Sequence, residues 1–362
     1  MTSPNIAPRP RSPDQVGGQT TEIGGQPVVL TYADVRAEYD ALRESAIVVD
    51  RSHRGRIRFF GEKSAEALTG LITSDVVSLH SGHGQYGAAL TAKGRIVADV
   101  RVFANGGAYL VDTAPRAFAG WAAMVKKYVN PRVAGYRDES YSVRNVGVFG
   151  PDARRIVAEI TGVHAPALTD LPPYGNVSAT VGAAQVLVAR APDIGVEGFD
   201  LFVPFEIFDD VWRAAVAAGA SPAGLEAWEI ARVEAGRPEW GIDIDDNTIP
   251  QEANFDEFDA ISYTKGCYIG QEVVARVHFR GHVNRHLRGL RGASPDGPPT
   301  SAQLFDETGT HVGEVRSSVS SPRLGGIAIG MVRREITPGM TITARWETGE
   351  RRVDVSALPF PA

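Results

Sequence analysis

A single cysteine, Cys267, stands in a chain of 362 residues. One thiol excludes an intrachain disulfide and a metal cage built from cysteine alone, and the default setting for such a chain is a reducing cytoplasm. Long hydrophobic runs are missing too: nothing approaches the roughly eighteen apolar residues of a membrane-crossing helix. The N-terminus offers Pro, Ser, Gly and Thr in place of a charged-then-apolar signal. Basic residues are outnumbered, 37 Lys and Arg against 43 Asp and Glu for a net charge of −6, so a nucleic-acid partner is not indicated. What is present is ordinary. A hydrophobic content of 43% is enough to bury real cores, and the length points to two or three domains.

Met1 to Gln26 has almost no apolar pattern, which predicts a disordered or loosely attached leader over 1–27, with order beginning near Val28. Helical spacing follows over Tyr32 to Ser45, then the apolar run IVVD, then a strand in which Ile57 alternates with Arg56 and Arg58. Ser64 to Leu71 returns to helical spacing. Gly82, Gly84 and Gly87 satisfy G-x-G-x-x-G, but a dinucleotide fingerprint needs those glycines to open a helix after a strand. Here AALTAKGRIVADVRVF follows and alternates around Lys93-Gly94, as a hairpin does. Pro115 to Tyr128 reads as a helix with Phe118, Trp121, Met124 and Val125 on one face.

A second unit opens at Tyr141 with SVRNVGVFG, a helix through Ile160, short strands from Asn176 to Pro204 and a helix from Phe205 to Ala218. Ser221-Pro222 has the form of an N-cap with proline at the first helical position. The helix LEAWEIARVEAG then stops at Gly236, with Pro238 beyond. Gly241 to Asp259 is acidic and loop-like. Its DIDDN resembles the start of a calcium loop, but Thr248 replaces the required glycine and Asn254 the closing glutamate. From Arg285 onward short strands separated by Gly, Pro and Ser predict a small all-β domain, a barrel or a sandwich, with Asp296-Gly-Pro-Pro as its first turn.

Several polar constellations interrupt this pattern. His278, His282 and His286 are four apart, but the β-branched VVARVHFRGHV around them favours a strand and turn, which would separate them. Arg276, Arg280, Arg285 and Arg288 form a positive stripe that is either a solvated edge or a site for an anionic ligand. Arg232 and Glu234 lie two apart on the capped helix and point to different faces; one turned inward would need a partner or a ligand. Asp99 sits among Val97, Val100 and Val102. If that strand is buried on both faces, its carboxylate is bonded to backbone or serves a site.

The densest run of chemistry is YTKGCYIGQEVVAR, from Tyr263 to Arg276. Cys267 lies between Gly266 and Gly270, which permit positive φ and close approach of a ligand. Lys265 stands two residues before it, and an ammonium beside a thiol favours the reactive thiolate. A lone cysteine is more often a small buried hydrophobe, but buried ones sit in apolar periodic runs rather than in a glycine-punctuated loop.

KGCYIGQE resembles the signature of the YgfZ family, the folate-binding relatives of the glycine-cleavage aminomethyltransferase. The resemblance extends over nearly the whole chain past the leader. YDALRESAIVVDRSHRGRIRFFG, GQYGAALTAKGRIVADVRVF, DIGVEGFDLFVP and ARVEAG with the following GIDI are similar to successive segments of that superfamily. The chain departs from the transferase in two places. An adjacent pair of acids is reduced to Ala98-Asp99, and the pterin-contacting glutamate is displaced by one position, giving Val196 then Glu197.

The resemblance implies an α+β, three-domain aminomethyltransferase-like fold around a central folate channel. A discontinuous first domain would comprise 28–140 and 223–284, a second α+β domain 141–222, and a C-terminal β-barrel 285–362. It implies tetrahydrofolate as cofactor, with Asp99 and Glu197 bonding pterin nitrogens and Arg232 pairing with the pterin or a folate carboxylate. Glu234 beside it matches the family pattern and is expected among the folate-binding residues. Cys267 would be the reactive thiol made more acidic by Lys265, with Tyr268 and Gln271 as positioning groups. The function implied is support of iron–sulfur cluster synthesis or repair, with client enzymes or assembly proteins as partners. The alternatives are a one-carbon (aminomethyl) transferase or demethylase using Asp99, and a non-catalytic folate-binding scaffold.

Overall fold

The computed structural model describes residues 18–361. The leader expected over 1–27 lies outside the described residues up to position 17. Beyond it the expectation is corrected, because β1 (Gln19–Ile23) and β2 (Gln26–Thr31) form an antiparallel hairpin. Gly24 and Gly25, at φ 59° and 75°, make its two-residue turn, the left-handed conformation that such tight hairpins require.

One sheet has five antiparallel strands in the order β5 (Gly84–Leu90), β6 (Ile96–Asn105), β7 (Ala108–Thr113), β4 (Gly55–Phe60) and β8 (Gly135–Asp138). Helices α2 (Ser64–Thr69) and α3 (Phe118–Tyr128) cover one of its faces, where Ala98, Val100 and Val102 of β6 pack with Leu68, Trp121 and Val125. Residues on a strand alternate faces, so Asp99, Arg101 and Phe103 project from the other. The hairpin read at Lys93-Gly94 is present, with Ala88 opposite Asp99.

The second sheet has the order β10 (Asn176–Val181), β11 (Ala184–Arg190), β12 (Gly198–Pro204), β9 (Val143–Phe149), β3 (Ile47–Asp50) and β13 (Ser221–Pro222). Helices α4 (Ala153–Thr161) and α6 (Phe208–Ala217) pack on its core, with the short α5 (Ala165–Thr169) beside α4. Two sequence readings are corrected here. The IVVD run joins this sheet rather than the first, since β3 pairs with β9. Ser221-Pro222 does not cap a helix; it adds to β3 as a parallel edge strand, and the following helix starts after Gly224. Proline tolerates an edge because it has no N–H to donate.

Helices α1 (Val35–Glu44) and α7 (Leu225–Glu234) pack against each other through Tyr39, Ala227 and Ile230. The C-terminal strands close into a barrel in the order β14 (Arg285–Arg291), β17 (Gly325–Arg333), β16 (His311–Ser321), β15 (Gln303–Phe305), β18 (Thr341–Trp346) and β19 (Gly349–Ser356). Where the two sheets, the acidic loop and the barrel meet, an apolar cluster of Tyr86, Phe103, Phe202, Phe255, Leu287, Met331 and Phe360 fills the junction. No helix among the described residues is long and apolar enough to cross a membrane.

The largest local correction concerns VVARVHFR, expected as strand and turn. It is helix α8 (Gln271–Arg280). Its β-branched residues suggested a strand, yet only Val274 is buried, so the segment lies as a helix on the surface. Glu272 in the first turn and His278 and Arg280 in the last match the helix dipole. His282 lies beyond the helix and His286 in β14, so the three histidines do not align.

Candidate functional site

Two places collect the residues that carry chemistry, and both hang on the β5–β6 hairpin. The first is a cavity between the five-stranded sheet, the loop leading into β12 and the start of the loop after α7. It is lined by Arg51, Arg54, Tyr86, Asp99, Arg101, Asp193, Trp228, Arg232, Arg237, Pro238 and Glu239. Its volume is about 40 Å³, room for a few waters.

Asp99 is 6% exposed. Its Oδ2 accepts from the Tyr86 hydroxyl at 3.1 Å, while Oδ1 is buried without a partner. Burial pushes its carboxyl up, against the pull of Arg54 and the Tyr86 hydroxyl. The same burial, with the Asp99 charge added, drives the Tyr86 phenol well above its ordinary range. An unpaired buried carboxylate oxygen costs free energy, so Asp99 has the character of a group kept for a ligand. Ala98, the position of the missing neighbouring acid, points the other way into the apolar core under α3. The retained acid is the one on the cavity face.

Around Asp99 lies a buried ion network. Arg101 bonds Asp112 at 2.6 Å, Asp200 at 2.6 Å and Asp193 at 2.8 Å. Arg51 bonds Asp200 at 2.8 Å and stacks on the Trp228 ring at 4.0 Å. Arg54 bonds Asp112 through Nε at 2.6 Å. Burial alone would raise Asp112, but the guanidiniums of Arg101, Arg54, Arg56 and Arg51 hold it down at about 2. Asp193 is likewise held well below the usual carboxylate range against its burial by Arg101, Arg51 and Arg237. Arg237 lies over the rings of Phe258 at 4.1 Å and Tyr86 at 4.4 Å, and donates to the Tyr174 hydroxyl. Its planar guanidinium thus occupies an aromatic slot at the cavity wall.

Three residues expected to contact folate are placed otherwise. Arg232 edges the cavity, but its five N–H donors are all taken: by Glu229 at 2.8 and 2.5 Å, Asp243 at 2.6 Å, Ser317 at 2.8 Å and the Arg237 carbonyl. It fixes the turn after α7 and ties it to barrel strand β16. Glu234 is outside the cavity and binds α1 and the barrel to α7, accepting from Tyr39 at 2.8 Å and from Ser321. Glu197 is outside too, paired with Arg154; the acid that its loop sends to the cavity is Asp193. Sequence reading missed Arg237 and Glu239, which follow the helix stop in a loop without periodicity.

The second place is the loop before α8. Cys267 is exposed. Gly270 uses its freedom, at φ 86°, and a Cβ there would meet the Thr91 carbonyl at 2.7 Å in the β5–β6 turn. Among the described residues Gly266 needs no positive φ, contrary to the expectation for both glycines. Lys265 donates to the Thr69 carbonyl and lies over the Tyr268 ring at 4.2 Å. Burial lowers its ammonium to about 8, with Asp75 and Cys267 pulling the other way. Tyr268 is buried in the central cluster, its phenol pushed up to about 12 by burial and by Asp256. Gln271 opens α8, where its backbone N–H donates to the Tyr268 carbonyl at 3.2 Å. The structure does not bring these four residues into the cavity beside Asp99.

Comparison with known proteins gives these places a context. Residues 13–261 match the model of the GCVT N-terminal domain. Over 351 residues the chain is 29% identical to an aminomethyltransferase of Rubrobacter xylanophilus, covering 96% of this chain and 91% of that protein. An aminomethyltransferase of Saccharopolyspora erythraea is 30% identical over 371 residues, covering 99% of each. The fold matches the crystal structure of the glycine cleavage system aminomethyltransferase T from Bartonella henselae with a TM-score of 0.84 at 21% identity, over 96% of this chain and 95% of that one.

Proposed function

The chain belongs to the family of the GCVT N-terminal domain, whose relatives above carry the name aminomethyltransferase, and from that premise we propose that it binds tetrahydrofolate or a derivative beside Asp99 and transfers the one-carbon unit. The observation that carries this reading is the orphaned Oδ1 of Asp99 in a cavity walled by paired charges. The acceptor set suits a pterin, whose ring N–H groups need buried acceptors to replace water. The cavity of about 40 Å³ is smaller than a bicyclic ring, so on this reading the Arg237 side chain, which lies over the rings of Tyr86 and Phe258, must move aside. Bound tetrahydrofolate supplies the nitrogen that carries the one-carbon unit. Asp99 presents Oδ1 towards that nitrogen, where a carboxyl raised by burial is suited to exchanging a proton with it. Arg51 and Arg101 keep the cavity wall rigid.

Calorimetric titration of tetrahydrofolate into wild type and Asp99→Asn tests this. Binding by wild type, weakened about ten-fold or more in the variant, supports it. No heat, and no protection by any reduced folate, overturns it.

A second reading rests on a different observation: the one thiol of the chain is exposed in the KGCYIGQE loop. On that reading the protein is of the YgfZ type. Cys267 then meets protein-sized partners, iron–sulfur client enzymes or assembly proteins, while the folate cavity lies elsewhere. A cytoplasmic location goes with either reading. Cys267→Ser separates them. It leaves one-carbon transfer intact on the first and abolishes support of iron–sulfur enzymes on the second.

A further inference from the structure

With Glu197 paired to Arg154 outside the cavity, another residue must read the heterocycle if the cavity takes a folate. Three acids line it: Asp99, Asp193 and Glu239. Asp193 is engaged by Arg51, Arg101, Arg237 and the Tyr174 hydroxyl. Asp99 has Oδ1 unpartnered and, at Oδ2, one lone pair beyond the bond it accepts from Tyr86. Glu239 differs from both. Its one ion pair among the described residues is with Arg116, at 3.2 Å through Oε1, and Arg116 is a half-exposed side chain from outside the cavity. An oxygen that accepts one bond keeps a second lone pair, so both carboxylate oxygens of Glu239 remain usable.

The backbone at Glu239 is held unusually firmly for a loop. Its N–H donates to Asp243 at 3.0 Å, and its carbonyl accepts from Ile242 and Asp243 at 3.2 and 3.0 Å. Asp243 is fully buried and bound by Arg232 and Ser317 at 2.6 Å each. The saturated Arg232 therefore acts through this turn, presenting Glu239 at a fixed place. The 2-amino-4-oxopyrimidine edge of a reduced pterin carries two adjacent N–H donors, which a carboxylate accepts as a parallel pair.

We propose that Glu239 is a second ligand-reading carboxylate of this cavity, accepting the paired N–H groups of the pterin edge while Oδ1 of Asp99 faces the one-carbon end of the ring. This rests on the folate reading above. Removing such a charge-assisted pair, with the N–H donors left unpaired, costs about ten-fold or more in affinity.

The test titrates wild type, Glu239→Gln and Glu239→Ala with tetrahydrofolate, 6-methyltetrahydropterin and p-aminobenzoylglutamate, and records each variant's unfolding midpoint. Both variants are expected to lose about ten-fold or more for the two ring-bearing ligands, with unchanged midpoints and unchanged response to p-aminobenzoylglutamate. A purely structural glutamate would tolerate the isosteric Gln. If wild type binds tetrahydrofolate and Glu239→Gln binds 6-methyltetrahydropterin within about two-fold of it, this inference falls and the folate reading stands. If wild type binds neither ring-bearing ligand, both fall.

Discussion

The cavity beside Asp99 and the loop around Cys267 are built on the same hairpin and have opposite physical characters. In the cavity, charged side chains are buried and paired several times over: Arg101 alone meets three aspartates. Oδ1 of Asp99 stands out there as an unpartnered carboxylate oxygen on the cavity wall, among charges that are paired several times over. At the loop, the thiol is exposed and α8 buries only Val274, so little energy depends on it. The difference teaches that a conspicuous sequence motif and a conspicuous structural site need not coincide. Unusual residue types mark the one, and an unmet bond beside densely paired charges marks the other.

The comparison breaks most decisively at Asp112, which holds Arg101 and Arg54 at 2.6 Å each. Asp112→Ala leaves buried guanidiniums unpaired and should cost about 3–5 kcal/mol, measured by denaturant unfolding. The same group sets an acid limb. Its folded carboxyl, at about 2, lies below its ordinary value of 3.8, so its stabilisation is present above about pH 4 and is lost as pH falls towards 2. Unfolding of wild type across that window should steepen relative to Asp112→Asn.

Asp99→Asn should reduce folate affinity by about ten-fold or more without loss of stability at neutral pH. The sign follows from the raised folded value. A raised carboxyl stabilises the fold in acid and loses that contribution as pH rises through it, so a neutral amide removes a cost at pH 7. A marked fall in melting temperature would make Asp99 a structural residue.

The loop should respond weakly. Amine acylation of Lys265 should be half-maximal near pH 8, where burial places its ammonium, well before the exposed lysines react. Smallest of all, Cys267→Ser should change stability by no more than about 0.5 kcal/mol. Native Cys267 should alkylate about as fast as in the unfolded chain, because it is exposed. Slow labelling, or a large loss of stability, would reunite the two regions as one structural unit.

Much of the fold was legible from periodicity and turn residues. The β5–β6 hairpin at Lys93-Gly94, the α3 face with Trp121, the stop of α7 at Gly236 and an all-β C-terminal domain were readable in this way, while the closed barrel was one of two architectures left open there. The failures have physical causes. α8 is rich in β-branched residues, which predict a strand, yet it sits on the surface where packing does not enforce that preference. Gly24-Gly25 is a strong hairpin signal that the polar surroundings of the leader concealed. Ser221-Pro222 satisfied the capping pattern while its backbone was claimed by an open sheet edge.

The site was legible in part. Asp99 drew attention as an acid in an apolar strand, and the structure gives it a cavity. Arg232 and Glu234 stand out as charges two apart on one capped helix, and they are held by partners 11 and 195 residues away in sequence respectively. Whether a buried charge is free or committed depends on what the rest of the chain brings to it. A linear pattern does not carry that information.

Composition and local pattern by themselves determined a chain without disulfides, the strands and helices of most of its length, and the two stretches where chemistry concentrates. Tertiary structure alone decided which face of β6 carries the acid, that Glu197 pairs away from the cavity, and that Arg237 and Glu239 enter it. The reason is that secondary structure follows from interactions a few residues apart, whereas a site in this protein is assembled from two sheets and a loop. Its electrostatics are set by which long-range charges find one another out of water.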